Sequence, residues 1–245
     1  MGFEASIILC TLNEIENLPR LVESIEDIAR FSYQLVFVDD GSTDGTRDYI
    51  LNYCKNHSNA EHIFNEQKKS TLIAQYMGIR KADGRFIIIM DSDLQHPPNI
   101  INEIYENLQK EYDIVVASRY LKEQARIKRS PIRGLVSRTA EELARIILKN
   151  TKKTSDPLSG YFGFEKHLNL PINEKWRGYK MLLFILSANP HAKVKDVSYI
   201  FVEREKGESK VVKGVHFIRI YLTELVLCKR IEIQIKKYKI LTPGK

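Results

Sequence analysis

Asp91 and Asp93 stand one residue apart, directly after five apolar residues, Phe86-Ile87-Ile88-Ile89-Met90. A run of this kind reads as a strand buried on both faces, as in a parallel sheet. Residues two apart in an extended chain point the same way. The two carboxylates would then converge at the strand's carboxyl end, where open α/β sheets place ligands. Left alone they repel each other, and a divalent cation removes that conflict. The chemistry implied is a hard metal, Mg²⁺ or Mn²⁺, holding phosphate oxygens. Gln95 adds a neutral oxygen if the chain stays extended, while His96 is expected to face solvent or pack beside Pro97. A solvated turn before Pro97-Pro98 would account for one aspartate. Asp-Ser-Asp after such a strand favours the metal.

A second acidic strand end is Val38-Asp39-Asp40-Gly41-Ser42-Thr43-Asp44-Gly45-Thr46. Its glycines permit a tight turn and close approach to a ligand. Ser42, Thr43 or Asp44 is placed to cap a following helix. A carboxylate at such a turn can accept hydrogen bonds from a base or a ribose. A capped strand–helix turn is the plain alternative, and it loses ground because Asp91 and Asp93 end another strand of the same sheet.

The elements that must position these groups alternate. Strands are expected at 6–10, 34–38, 61–64, 86–90 and 113–118, with helices at 14–29, 42–54, 71–81 and 98–110. That order predicts an α/β fold with a doubly wound, mostly parallel sheet flanked by helices. In the second half, 130–150 is basic and amphipathic, with Ile132, Val136, Ala140, Leu143 and Ile147 on one stripe. Further expectations are a helix over 176–188, a strand over 194–202 and a second amphipathic segment over 215–228, carried by Ile218, Leu222 and Leu225. Residues 229–245 are basic and are expected to be poorly ordered.

Charge divides the chain. Residues 1–118 carry 10 basic and 19 acidic side chains, and residues 119–153 carry 11 and 3. A basic region suits nucleic acid, anionic lipid or a phosphorylated substrate. Nucleic acid is disfavoured, because Tyr120 is the sole aromatic between Arg119 and Lys153 and single strands need stacking platforms. Arg133 and Ser137 are four apart and share one helix face, where a guanidinium and a hydroxyl can grip one phosphate. No run approaches the roughly 18–20 apolar residues of a membrane span. The first residues lack the signature of a signal peptide. Three scattered cysteines, Cys10, Cys54 and Cys228, point to a reducing compartment.

Together, Cys10–Leu18, Val38–Thr46 and Met90–Pro98 resemble the inverting GT-A (Rossmann-like) glycosyltransferases of family 2, nearest the dolichol-phosphate mannose synthase group. Ser118-Arg119-Tyr120, Arg133 with Ser137, Asp156–Phe162, Gly178-Tyr179-Lys180 and Val202–Lys210 continue the likeness in order, so that it spans about residues 5 to 212. The resemblance implies that Leu12, Glu14, Asp39 and Asp40 line a nucleotide pocket and that Asp91, Asp93 and Gln95 hold the cation. It gives Arg119, Arg133, Ser137 and Arg204 the phosphate of a polyprenyl acceptor, and sets Asp156 and Ser159 near the donor sugar. Asp91, Asp93, Arg119, Arg133 and Arg204 would carry the reaction.

The resemblance also implies a division into a domain over 1–214, with a nucleotide half (1–118) and an acceptor half (119–214), and a basic extension over 215–245. The implied reaction is transfer of a hexose, mannose from GDP-mannose, to polyprenyl (dolichyl) phosphate. Glucose or GlcNAc from a UDP-sugar, a glycan hydroxyl as acceptor, and a non-catalytic nucleotide-sugar or membrane-binding module are the alternatives. The expected setting is cytoplasmic, peripheral on a membrane surface, held by the basic helices or by an anchoring partner subunit. Many family members add transmembrane helices after the position of Lys210, and this sequence does not. Two departures fall on the acceptor side: Phe184 stands where the family often has an acid, and Leu121-Lys122 replaces a glycine pair.

Overall fold

The computed structural model describes residues 2–66, 68–121, 131–200 and 215–241. In chain order the strands are β1 (Ala5–Thr11), β2 (Tyr33–Asp39), β3 (Ala60–Phe64), β4 (Phe86–Asp91), β5 (Ile114–Ser118), β6 (Phe162–Glu165) and β7 (Val194–Ser198). The helices are α1 (Leu18–Ile28), α2 (Thr46–Asn56), α3 (Thr71–Lys81), α4 (Ile100–Gln109), α5 (Pro131–Ile147), α6 (Met181–Ala188) and α7 (Val215–Leu241). A 3-10 turn, Lys149–Lys153, follows α5.

The sheet order is β3-β2-β1-β4-β6-β5-β7. All pairings are parallel except those of β6, which runs antiparallel between β4 and β5. Successive strand residues feed opposite cores, as a period of two requires. Ile8, Val36, Ile87 and Ile89 face α3, α6 and α7; Ile7, Leu35, Phe37 and Ile88 face α1 and α4. The mostly parallel α/β sheet expected from the sequence is present.

The differences have local causes. β6 was not anticipated: its four residues include a glycine, too short and mixed a run to read as a strand. Gly163 is required there, since a Cβ would come within 2.5 Å of Ile104 on α4. The helix expected over 176–188 is confined to α6, whose eight residues are all buried. Before it, Gly178 O instead accepts from Leu72 N at 3.0 Å. β7 ends at Ser198, before Tyr199 and Ile200; Phe201 and Val202, to which the strand was expected to run, lie outside the described residues, and α2 begins at Thr46 rather than Ser42.

α7 extends to Leu241, through residues expected to be poorly ordered. Its buried face is Tyr221, Leu225, Cys228 and Ile231, together with Glu224 and Glu232; Ile218 and Leu222 are exposed. The expected stripe therefore shares only Leu225 with the buried one.

Candidate active site

Strand register brings the acidic ends together. Thr11 pairs with Asp39, and Cys10 with Asp91. The loops after β1, β2 and β4 thus leave the sheet at one edge.

The first two loops are laced to each other. Asn13 adopts φ 52°, and Gly41 and Gly45 adopt 100° and 95°, so the chain turns sharply in both. Asn13 N donates to Ser42 Oγ (2.7 Å), Thr43 N to Asn13 Oδ1 (2.8 Å) and Glu14 N to Thr46 Oγ1 (2.9 Å). Asp39 is fully buried and gathers donors: Thr11 Oγ1, Gly41 N, Ser42 N and Oγ, and Arg47 Nε at 2.6 Å. Burial opposes its charge, but the bonds from Arg47, Ser42 and Thr11 outweigh that and hold the carboxyl below its usual range. Asp40 accepts from Asn65 Nδ2 (3.0 Å) and Lys69 N (2.9 Å), and the buried Glu14 accepts from Asn17 Nδ2 (2.8 Å). Leu12 and Asn13 form the more open rim. Asp39 and Asp40 are placed to shape this wall, with Leu12 nearer to solvent.

Asp91 is the open carboxylate. Its side chain is 49% exposed, whereas Asp93 is 7% exposed. The chain does not stay extended beyond them. Leu94 has φ 62°, and Gln95 N folds back onto Asp93 Oδ1 at 3.1 Å. Gln95 therefore does not follow the two aspartates along a strand. His96 is buried rather than solvent-facing: its Nδ1 accepts from Asp91 N (2.9 Å), and its ring stacks on Tyr161 with centroids 5.0 Å apart. With Nδ1 accepting, the neutral ring carries its proton on Nε2, which lies 3.7 Å from Asp91 Oδ2. Burial holds the His96 pKa down, against the pull of Asp91 and Asp93.

Among the described residues no group of three His, Cys, Asp or Glu side chains forms a cage for a metal. Two aspartates still fit Mg²⁺ or Mn²⁺, which keep waters and bind through one or two carboxylates plus substrate phosphates.

Across the crevice the charges are already engaged. Arg119 Nε and Nη2 donate to Asp156 Oδ2 and Oδ1 at 2.6 and 2.7 Å, and Asp156 is fully buried. Burial works against the Arg119 charge, but this fork outweighs it and raises the guanidinium pKa. Ser137, on α5, donates to Glu141 at 3.2 Å, and Tyr120 OH donates to the same carboxylate oxygen. Arg204 and the side chain of Arg133 lie outside the described residues. Ser159 Oγ turns into the sheet and donates to Ala117 O at 2.8 Å.

One short segment connects the two sides. Asp156 holds Arg119, Leu158 O accepts from Lys180 Nζ at 3.2 Å, and Gly160 packs on Asp91. A Cβ at Gly160 would stand 3.2 Å from Asp91 Oδ2 and 3.3 Å from His96 Cε1. Lys180 sits in the field of Arg119, Glu224, Asp91 and Asp156. Burial, with the Arg119 charge, lowers its pKa. Glu224 of α7 accepts from the backbone N–H groups of Tyr179 (2.7 Å) and Lys180 (2.8 Å), while its Oε2 has no hydrogen-bond partner among the described residues. Glu141, Glu224 and the buried role of His96 were missed in the sequence, and Lys180 was named there only within Gly178-Tyr179-Lys180, without a role. Spacing could have found Glu141, four residues beyond Ser137 on the same helix face. The others depend on tertiary contacts.

The sequence profile described as Glycosyl transferase family 2 matches residues 6–168. A dolichol-phosphate mannosyltransferase of Pyrococcus furiosus is 32% identical over 210 residues, which is 85% of this chain and 59% of that protein. This chain thus spans well under two thirds of that relative's length. The Saccharomyces cerevisiae dolichol-phosphate mannosyltransferase is 28% identical over 224 residues, 86% of this chain and 82% of its own. In three dimensions, glucosyl-3-phosphoglycerate synthase from Mycobacterium tuberculosis in complex with UDP aligns with a TM-score of 0.67 at 19% identity, covering 92% of this chain and 81% of that one. Its complex with Mn²⁺, UDP-glucose and phosphoglyceric acid aligns at 0.63 and 18%, covering 95% and 78%. At these identities the structural likeness speaks to the fold.

Proposed function

The chain belongs to glycosyl transferase family 2, and on that premise we propose that it transfers mannose from GDP-mannose to a polyprenyl phosphate, dolichyl phosphate, with inversion at the anomeric carbon. One observation carries the reading: the half-open Asp91 lies at the sheet edge formed by the β1 and β2 loops, and the Asp156–Gly160 segment ties it to Arg119. The names of the relatives supply the sugar and the lipid.

In this reading the rim at Leu12 and the loop around Asp40 receive the nucleotide. Asp91, Asp93 and Gln95 would hold Mg²⁺ or Mn²⁺, which when bound neutralises charge on the departing nucleoside diphosphate. Arg119, Ser137, Arg133 and Arg204 align the acceptor oxygen behind the anomeric carbon. A phosphate monoester has a second pKa of about 6 and is mostly dianionic at neutral pH, so it needs no dedicated base. The expected product is β-linked from an α-linked donor.

Access to the lipid falls to α7. Among the described residues no helix is long and apolar enough to cross a membrane. The solvent side of α7 nevertheless carries Ile218, Leu222, Val226 and Ile233, all exposed, beside Arg219, Lys229, Arg230 and Lys236. An apolar row flanked by cations suits the surface of an anionic membrane. The protein would therefore sit peripherally on a cytoplasmic membrane face. An anchoring subunit covering the same row is the competing arrangement.

The test is incubation with Mn²⁺, polyprenyl phosphate and a panel of labelled nucleotide sugars, followed by identification of the lipid product. A β-mannosyl lipid phosphate is expected. No lipid-linked product, or retained configuration, overturns the reading. A second reading, transfer to a glycan hydroxyl, gains from Glu141, an acidic group beside Ser137 and Arg119. It requires Glu141 as a base, so Glu141→Gln would abolish that transfer.

A further inference from the structure

Glu141 stands where the proposed function needs the acceptor's phosphate. It is 7% exposed; its Oε1 accepts from Ser137 Oγ and Tyr120 OH and lies 3.9 Å from Arg119 Nη2. Those are donors of the kind a phosphate oxygen would use. The Arg119 guanidinium, meanwhile, is bound at both oxygens of Asp156. Among the described residues, Asp156 and Glu141 thus share the Arg119 guanidinium, the first by the two-point fork and the second at 3.9 Å. A phosphate dianion beside an ionised Glu141 would place like charges within a few ångströms, which strongly disfavours ionisation of one of them.

We infer that Glu141 is a specificity-determining residue of the acceptor site: the phosphate binds together with one proton, taken up by Glu141, whose carboxylic acid then donates a hydrogen bond to a phosphate oxygen. The proton comes from solvent, and no covalent bond forms or breaks. The inference rests on the acceptor being a phosphate monoester.

Among the described residues, several charged and titratable groups act on Glu141. After β5 these are Arg119 and Tyr120, and from the segment following the 3-10 turn, Asp156. From α7 comes Tyr221, whose hydroxyl donates to Ala140 O at 2.6 Å and which feels the charges of both Glu224 and Glu141. Burial, the largest influence, raises the Glu141 pKa; Asp156 adds to it, while Tyr120, Arg119 and Ser137 oppose it. Its burial and the nearby Asp156 thus favour the protonated form of the carboxyl.

The experiment is calorimetric titration of farnesyl phosphate into the full chain at pH 8, in two buffers of different ionisation enthalpy. At pH 8 the free monoester, with a second pKa of about 6, is already the dianion and calls for no proton of its own. The wild type is expected to take up about one proton per phosphate bound. Glu141→Gln, which keeps an oxygen for Ser137 and Tyr120, should take up none and bind at least about tenfold more tightly at pH 8. Binding by the wild type without proton uptake overturns the inference whether or not the variant folds. Undiminished uptake, or equal or weaker binding, in a folded Glu141→Gln protein overturns it as well. A wild type that binds Mn²⁺ and nucleotide sugar but no farnesyl phosphate removes the phosphate acceptor, and the inference falls with that reading.

Discussion

The donor and acceptor walls of the proposed site are built in opposite ways. On the donor side the fixed charges belong to short loops at strand ends. Asp39 and Asp40 are spent on organising those loops, which leaves the Asp91 side chain half open. On the acceptor side, Arg119, Asp156, Ser137 and Glu141 are engaged with one another. The donor wall is a frame of loops bonded to one another, with the Asp91 side chain half exposed at its margin. The acceptor wall is a set of mutual bonds that a substrate must enter. Function and stability should therefore separate on the first wall and coincide on the second.

Breaking the acceptor wall should have the largest effect. Asp156→Ala leaves the Arg119 guanidinium buried without its partner, which costs about 3–5 kcal/mol. Urea denaturation should report that loss alongside lost turnover. A fully stable Asp156→Ala protein would mean that the fork is not what holds this wall.

Asp91→Asn should act the other way. Transfer is expected to fall roughly 100- to 1000-fold with the denaturation midpoint nearly unchanged, because the side chain is half exposed. Asp93→Asn, more buried, should lose activity to a similar degree with some stability. Equal stability losses for Asp91→Asn and Asp156→Ala would erase the contrast between the walls.

A smaller effect tests the link between the acceptor wall and α7. Burial pushes the Glu224 pKa up to about 7, against backbone bonds from Lys180 and Tyr179. The folded state then holds a proton that an unfolded glutamate, near 4.5, releases. This contribution to stability is greatest at low pH, falls as pH rises from about 4.5 to about 7, and is flat above. Its span is of order 3 kcal/mol. Glu224→Gln should flatten that part of the pH–stability curve; an unchanged slope would locate the titration elsewhere.

The smallest change is at the surface. Neutralising Arg219 and Arg230 to Gln should weaken flotation with anionic liposomes by roughly 1 kcal/mol per residue, with transfer to a detergent-solubilised acceptor unaffected.

The donor wall was legible in the sequence because it is local. Buried parallel strands advertise themselves as apolar runs, and the carboxylates follow at once. Strand-to-helix alternation likewise gave the sheet from β1 to β5. The acceptor wall was only partly legible, because its members meet across long separations: Arg119 with Asp156, Lys180 with Leu158, Glu224 with Tyr179. β6 was missed since four residues centred on a glycine carry too little pattern. α7 was found, but its buried side was not, because that side includes Glu224 and Glu232, which hydropathy counts as solvent-facing.

The antiparallel β6 also bears on how the chain comes to be folded. As residues emerge from a ribosome, β1 to β4 can pair among themselves, each new strand finding a neighbour already present. β5 cannot: its only route to that sheet runs through β6, some 44 residues later in sequence, counting from Ser118 to Phe162. The early half can thus be in place while the late half is still waiting for its central strand. Closing that gap requires a distant contact, the slow kind. Until then β4 has an unpaired edge, a surface on which a nascent chain is vulnerable to wrong partners.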